Sequence, residues 1–519
     1  MPSTSEAEPA PAESDGESET PADVPTEREE ALDALEQVEE FAEPVSRPVA
    51  RERIQTGAGR NVTMDLRDLS LRMDALPASS QRVALSNFSR PWGDGEYATL
   101  CDAVPDVDIC VHYVPNGTTG ADATHAVNPV TWPQTVLDTL VAIARTYRAA
   151  GYRLPKADGT YGGSGATDVY LADVASRGQY GYCTADFYAS GHPVFDPGPG
   201  RSDLPAFCVL DNDYAASQFG TDPLRTLQVT AAHEYSHAVQ FAYDYGEDRW
   251  FMEAAATWAE EQIYDEINDN RQYLRFSQLR FPGVSLDRNL GSGDFLKYGD
   301  WIFFQYLTER IPTLTGPMPN LMLSIWQYAD SVTGPDYYST RAIEAALARR
   351  GARFPRLFAQ YALANRHPSR AYAEGSAYPV GRPTRTRVLR PSKRSNAGAV
   401  RVDHLASKTL RFVPRRLPAK RTRLRITVDM ADRASGSVAM ATVYSRAGGI
   451  RTRFVRLNKR GNGSVRVDFN SRRVAHVEVV LVNANRRYKQ CWTARTGYSC
   501  RGVPVRDGVL EKYSVRVVR

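Results

Sequence analysis

The stretch Ala231-Ala232-His233-Glu234-Tyr235-Ser236-His237-Ala238-Val239-Gln240 places two histidines four residues apart, with a glutamate directly after the first. On a helix, side chains at i and i+4 project from one face. Two imidazoles so placed can take adjacent corners of a tetrahedral zinc ion, with nitrogens about 2.0–2.1 Å from the metal. Glu234 lies one position round the helix, unsuited to be a third ligand but close enough to handle the proton of a water at the metal. The flanking residues predict a helix. Asp222 suits the N-cap, Pro223 the first helical position and Gly246 a stop. Between them small and apolar residues (Leu227, Val229, Ala231, Ala232, Ala238, Val239, Phe241) predict a mostly buried helix of about 22 residues. Two histidines and a glutamate inside such a helix need partners, and a metal ion is the simplest one.

A catalytic zinc takes three protein ligands and leaves one position open. No third histidine follows closely, because the next one is His367. A carboxylate on the next helix remains, and that helix reads Trp250-Phe251-Met252-Glu253-Ala254-Ala255-Ala256-Thr257-Trp258-Ala259-Glu260-Glu261. Glu253 is the leading candidate, with Glu247, Glu260 and Glu261 as alternatives. It lies near the helix start, and Ala254–Ala256 let another helix approach. Glu260 is two turns further on, about 10 Å along the axis, and cannot share an ion with Glu253; solvent exposure is the simpler expectation for Glu260 and Glu261. Calcium is a second, unsupported candidate at Asp211-Asn212-Asp213 or Asp265–Asp269, which read more simply as a strand end and a helix terminus.

The 519 residues allow two or three domains. A net charge of +4 conceals a strong polarity: residues 1–44 hold fifteen acids and one arginine, while residues 381–519 hold 34 basic residues and seven acids. Residues 1–44 read as an acidic disordered segment, although Ala31, Leu32, Leu35, Val38 and Phe41 sketch a short helix. Residues 45–95 read as a pro-segment or a helical lead-in, with helical spacing at Met64–Leu76. From Glu96 the pattern becomes strand (Val107–Val114), helix (Trp132–Ala150) and strands (Thr167–Val174, Gly181–Tyr188, Ala206–Leu210). The histidine-bearing helix follows, then a helix at Trp250–Asn268 and four more near residues 299–310, 318–331, 338–350 and 354–365. A mixed sheet, a site-bearing helix and a helical lobe make an α+β catalytic domain over residues 96–380.

Residues 381–395, rich in Pro, Arg, Ser and Thr, read as a linker. Beyond them seven short period-two segments (Thr409–Val413, Arg423–Val428, Val438–Tyr444, Arg451–Leu457, Ser464–Phe469, Ala475–Val482, Tyr513–Val518) predict an all-β sandwich over residues 396–519. Its alternating arginines read as a solvated face, or as a surface for acidic cell-envelope polymers. No nucleic-acid-binding pattern and no apolar run of membrane-spanning length is present. Six cysteines fall as three close pairs: Cys101 with Cys110, Cys183 with Cys208, and Cys491 with Cys500. Local pairing is the simplest of the connectivities. Paired cysteines point to an oxidising compartment and a secreted protein, although no signal peptide is visible at Met1.

The motif His233-Glu234-Tyr235-Ser236-His237, with Glu253-Ala254 downstream, resembles that of the gluzincins, the thermolysin- and aminopeptidase-like zinc metallopeptidases. The order of sheet, helix and helical lobe extends the likeness more loosely over about 200 residues. Gln240-Phe241-Ala242-Tyr243-Asp244 and the helix after it look like those of bacterial secreted metallopeptidases of little-known substrate. The resemblance implies a zincin-like fold, one zinc ion held by His233, His237 and Glu253, and Glu234 as general base and acid in peptide-bond hydrolysis. Tyr298, in Leu296-Lys297-Tyr298-Gly299, is similar to the oxyanion-binding tyrosine of the aminopeptidase-like members, with a different tyrosine-to-glycine spacing. Two further departures stand out. The His237-to-Glu253 interval is short for the group, and Thr257 stands where thermolysin-like members carry an aspartate that supports a ligand histidine. A competing expectation is a catalytically inactive protein on the same scaffold, binding through its basic C-terminal domain.

Overall fold

The computed structural model describes residues 25–92, 97–102, 107–187, 193, 202–289, 294–311, 316–418 and 422–519. The acidic expectation for residues 1–24 lies outside them. Four helices come first: α1 (Glu27–Glu39), α2 (Arg47–Thr56), α3 (Val62–Ser70) and α4 (Ala78–Ser86). Residues 27–44 are therefore not disordered. The Thr26 hydroxyl accepts from the Glu29 N–H and the Glu29 carboxylate accepts from the Thr26 N–H, closing a capping box. The stripe Ala31, Ala34, Leu35 and Val38 then buries against Val62 and Leu66 of α3. The acidic composition of α1 belongs to its outer face alone.

Strands β1 (Ala98–Cys101), β2 (Ile109–Tyr113), β3 (Thr167–Ala172), β4 (Gly181–Thr184) and β5 (Phe207–Asp211) form one mixed sheet in the order β1-β2-β3-β5-β4. The two end strands pair antiparallel and the three inner strands run parallel. Helix α5 (Trp132–Ala149) packs on one face. The N-terminal helices cover the other, where Leu35, Leu66 and Leu69 share a core with Tyr170, Tyr182, Phe207 and Val209. β4 is shorter than the expected Gly181–Tyr188. β1 was not legible, because its burial merely alternates between half-buried and exposed.

A short turn, α6 (Ala216–Phe219), leads into α7 (Pro223–Phe241), which carries the histidine motif along the sheet. Asp222 caps it, its carboxylate accepting from the Arg225 N–H at 3.0 Å. The helix ends at Phe241, five residues before Gly246; the Ala242 N–H closes the last turn. α8 (Arg249–Ile263) packs antiparallel beside it and stops short of Asn268. Helices α9 (Leu296–Gly299), α10 (Trp301–Arg310), α11 (Asn320–Ala329), α12 (Thr340–Arg349) and α13 (Phe354–Ala364) complete the lobe. Trp250 of α8 stacks on Phe304 of α10, both fully buried.

The C-terminal region is all-β. Residues 381–395 are not a free linker: β6 (Arg385–Leu389) lies in them and pairs parallel with β8 (Ala406–Pro414). Only Leu389 of β6 is buried, so no alternation marks it in the sequence. With β7 (Ser395–Val402), β9 (Arg423–Asp429), β10 (Ser437–Ser445), β11 (Ile450–Phe454), β12 (Asn462–Asp468), β13 (Val474–Asn483), the small pair β14 (Tyr488–Lys489) and β15 (Val503–Pro504), and β16 (Val509–Val518), two large sheets result. Their orders are β11-β10-β13-β8-β6 and β12-β9-β16-β7. Leu410, Val479, Leu481, Ile426 and Val515 fill the core they share, as a sandwich requires. Arg423 and Arg425 point outward from β9 while Leu424 and Ile426 point in. Among the described residues no helix is long and apolar enough to cross a membrane.

Cys101–Cys110, Cys183–Cys208 and Cys491–Cys500 are all disulfide-bonded, as the spacing predicted, and suggest an extracellular or oxidising environment. The two halves of the chain share buried contacts. Val480 and Val482 of β13 join the core of the helical lobe, and Arg366 and Arg411 both pair with Glu478. Deeper in, fully buried His404 bridges Asp287 at 2.7 Å and Asp507 at 3.2 Å. Burial alone would lower the imidazole pKa; the two carboxylates outweigh it and push it up to about 9. A raised histidine pKa means stability that is complete below the unfolded value, about 6.5, and lost as the pH rises through about 9. His404→Ala should therefore cost about 3–5 kcal/mol in urea unfolding near neutral pH, and visibly less above pH 9.

Candidate metal centre

α7 and α8 face each other across the histidine motif. His233 Nε2 lies 3.2 Å from Glu253 Oε2, His237 Nε2 lies 3.5 Å from the same oxygen, and the two nitrogens are 3.1 Å apart. Donors about 2.0–2.1 Å from a tetrahedral zinc ion stand about 3.3 Å from one another, so the triangle has the edge lengths of one tetrahedral face. Helical geometry places the histidines one turn apart, and the small residues Ala254–Ala256 let α8 come close enough for Glu253 to complete the face.

The outward nitrogens decide what the inward ones can do. His233 Nδ1 is 2.7 Å from Glu260 Oε1, and His237 Nδ1 is 2.9 Å from Gln240 Oε1. An ionised carboxylate only accepts, and the Gln240 amide nitrogen is spent on the Met252 carbonyl at 3.0 Å, so both Nδ1 atoms are donors. In neutral rings both Nε2 atoms then present lone pairs. Two lone pairs and a carboxylate oxygen converge with no hydrogen among them, an arrangement that a cation satisfies. The residues present fit a zinc ion. Without a metal a proton takes that role: burial lowers the His233 imidazole pKa, but its hydrogen bonds to Glu253 and Glu260 push it up to about 10. Burial opposes ionisation of Glu253, and the two histidines overcome it and hold its carboxyl far below the usual range.

Glu260 and Glu261 are buried, contrary to the expected exposure. Glu260 is the orienting carboxylate that Thr257 cannot supply: it sits two turns beyond Glu253 on the same face of α8 and reaches His233 from the far side. Gln240, one turn beyond His237, does the same for the second histidine. Glu260 was weighed in the sequence only as an alternative ligand and Gln240 not at all, although their i+7 and i+3 spacings from Glu253 and His237 were available signals. Tyr298 of α9 donates its hydroxyl among three acceptors: Glu253 Oε1 at 2.9 Å, the Arg60 carbonyl at 2.9 Å and Asn61 Oδ1 at 3.1 Å. Glu234 Oε2 accepts from the Thr63 hydroxyl at 2.7 Å, and that hydroxyl accepts from the Cys183 N–H at 2.9 Å. His233, Glu234, His237, Glu253 and Tyr298 are each 3% exposed or less. Glu261, Asp265 and Glu374 form a second acidic group, toward solvent. Asp211 spends its carboxylate on the Ala175 and Tyr214 N–H groups, as a strand end does.

No family model matches the chain, and no curated protein matches it. Among solved structures, the pre-peptidase C-terminal domain of collagenase from Bacillus anthracis is 8% identical, with 26% of this chain and 97% of that one covered and a TM-score of 0.15. A family GH115 4-O-methyl-α-glucuronidase with specificity for decorated arabinogalactans is 10% identical, with 57% and 38% covered and a TM-score of 0.14. Likenesses of that size carry no argument about fold or activity.

Metal analysis gives the test of the centre. Glu260→Gln should fold and bind zinc about 10–100-fold more weakly, because the imidazole loses its orienting acceptor. Glu253→Ala should lose the metal, and full zinc occupancy in that variant would reject the ligand assignment. Zinc affinity of the wild type should rise with pH, since the metal must displace the His233 proton.

Proposed function

We propose that the chain is a secreted zinc metallopeptidase of gluzincin type, with a zincin-like catalytic region followed by a basic β-sandwich. The observation that carries this reading is the convergence of His233 Nε2, His237 Nε2 and Glu253 Oε2 with Glu234 alongside. Zinc held by those three residues would supply Lewis acidity toward a scissile carbonyl. Glu234 takes the proton of the attacking water and returns it to the leaving amine, the part of a general base that becomes a general acid. Tyr298 has a hydroxyl suited to donate to the oxygen that gains charge. Glu260 and Gln240 hold the ligand rings at a fixed tilt throughout.

A second reading is favoured by two specific observations: the burial of the whole centre, and a cavity of about 720 Å³ in the C-terminal region lined by Arg423, Arg451, Arg466, Arg473 and Arg519. In that reading the scaffold is catalytically silent and acidic envelope polymers bind the arginines. One comparison separates the two. Glu234→Gln should retain zinc and lower by about 10²–10⁴-fold whatever hydrolysis of a peptide library the unsubstituted protein shows. Equal and measurable cleavage by both proteins, or a wild type without zinc, rejects the peptidase.

A further inference from the structure

The centre is sealed by the chain's own N-terminal region. Between α2 and α3, residues 57–61 pass beside Gly178 and Gln179, just ahead of β4, the end strand of the mixed sheet, and Thr63 reaches β4 itself at Cys183. Gly59 bridges to Gln179 in parallel fashion, and a Cβ added to it would lie 1.9 Å from the Gly178 carbonyl oxygen. No side chain fits there, so the two backbones are in direct contact. Asn61 and Thr63 come next, with their side chains on Tyr298 and on Glu234 respectively. Ion pairs fasten the stretch at its middle and just beyond it: Arg60 to Asp269 at 2.8 Å, and Asp65 of α3 to Arg249 at 2.5 Å.

The Thr63 and Asn61 contacts use groups that peptide hydrolysis would need. The outward N–H of Cys183 on β4 is where an extended peptide would pair with a sheet edge, and Thr63 Oγ1 already takes it. The same hydroxyl covers the carboxylate that must meet a water, and Asn61 shares the tyrosine hydroxyl that must meet an oxyanion. Resting on the metallopeptidase reading, we propose that residues Gly57–Thr63 are a built-in occupant of the peptide-binding groove, and that the enzyme is latent until this stretch is withdrawn from β4. The weak point of the stretch is Gly59, where one added methyl forces the backbones apart.

The test compares the full-length wild type with Gly59→Ala, both loaded with zinc. Expected in the variant are faster hydrogen exchange at residues 57–63 and 181–184, at least tenfold faster removal of zinc by a chelator, and at least tenfold faster hydrolysis of a peptide library. Should Gly59→Ala fail to fold, Thr63→Val, which removes the hydroxyl and keeps the side-chain size, carries the same measurements. Unchanged exchange and unchanged zinc removal in the folded variants overturn the latch. So does a wild type that already cleaves at the variants' rate. Faster exchange and zinc removal with no hydrolysis support the latch and reject the peptidase reading instead.

Discussion

The structure turns on where two imidazole N–H groups point. Glu260 and Gln240 each claim the outer N–H of one ring, and this leaves two lone pairs and the Glu253 carboxylate pointed at one another in a space that excludes water. Such a cluster repels itself unless a positive charge sits at its middle. Everything nearby serves to keep those groups in place. Small residues bring α8 against α7, Trp250 and Phe304 fix α8 from behind, and Asp222 sets the register of α7 at its start.

The layers around the centre have different jobs. The mixed sheet gives α7 a flat bed, and the Cys183–Cys208 disulfide ties its end strand to β5. The helical lobe supplies α8 and Tyr298. The N-terminal helices shield the opposite face of the sheet and thread Asn61 and Thr63 into the centre. The C-terminal sandwich is no loose appendage, since β13 is buried on both sides, with Val479 and Leu481 in its own core and Val480 and Val482 against the lobe.

Much of this was legible in the sequence, for reasons that differ by element. α5 and α13 matched their expected ranges within a residue, because Pro at the start and a clean apolar stripe leave little freedom. That His233, His237 and Glu253 come together followed from the i, i+4 histidines and from a carboxylate among alanines. The disulfides followed from proximity in the chain. What stayed hidden depends on partners distant in sequence. β6 has four exposed residues of five and is a strand only because β8 lies beside it. Glu260 looked like surface, and it is buried because a histidine 27 residues earlier needs an acceptor. The capping box on α1 was in plain view at Thr26 and Glu29, yet acidic composition outweighed it.

The last disulfide loop has a consequence in time. Ser499 donates its hydroxyl to Asp248, the residue that opens α8, and its backbone N–H reaches Asp287 at 3.1 Å. The first turn of α8, the helix that carries Glu253, is thus held by a residue 251 positions after Asp248. A chain that emerges N-terminus first has made its histidines long before it can finish the wall that holds Glu253. The pocket around Glu253 therefore takes its final form only once the loop at residue 499 has joined it.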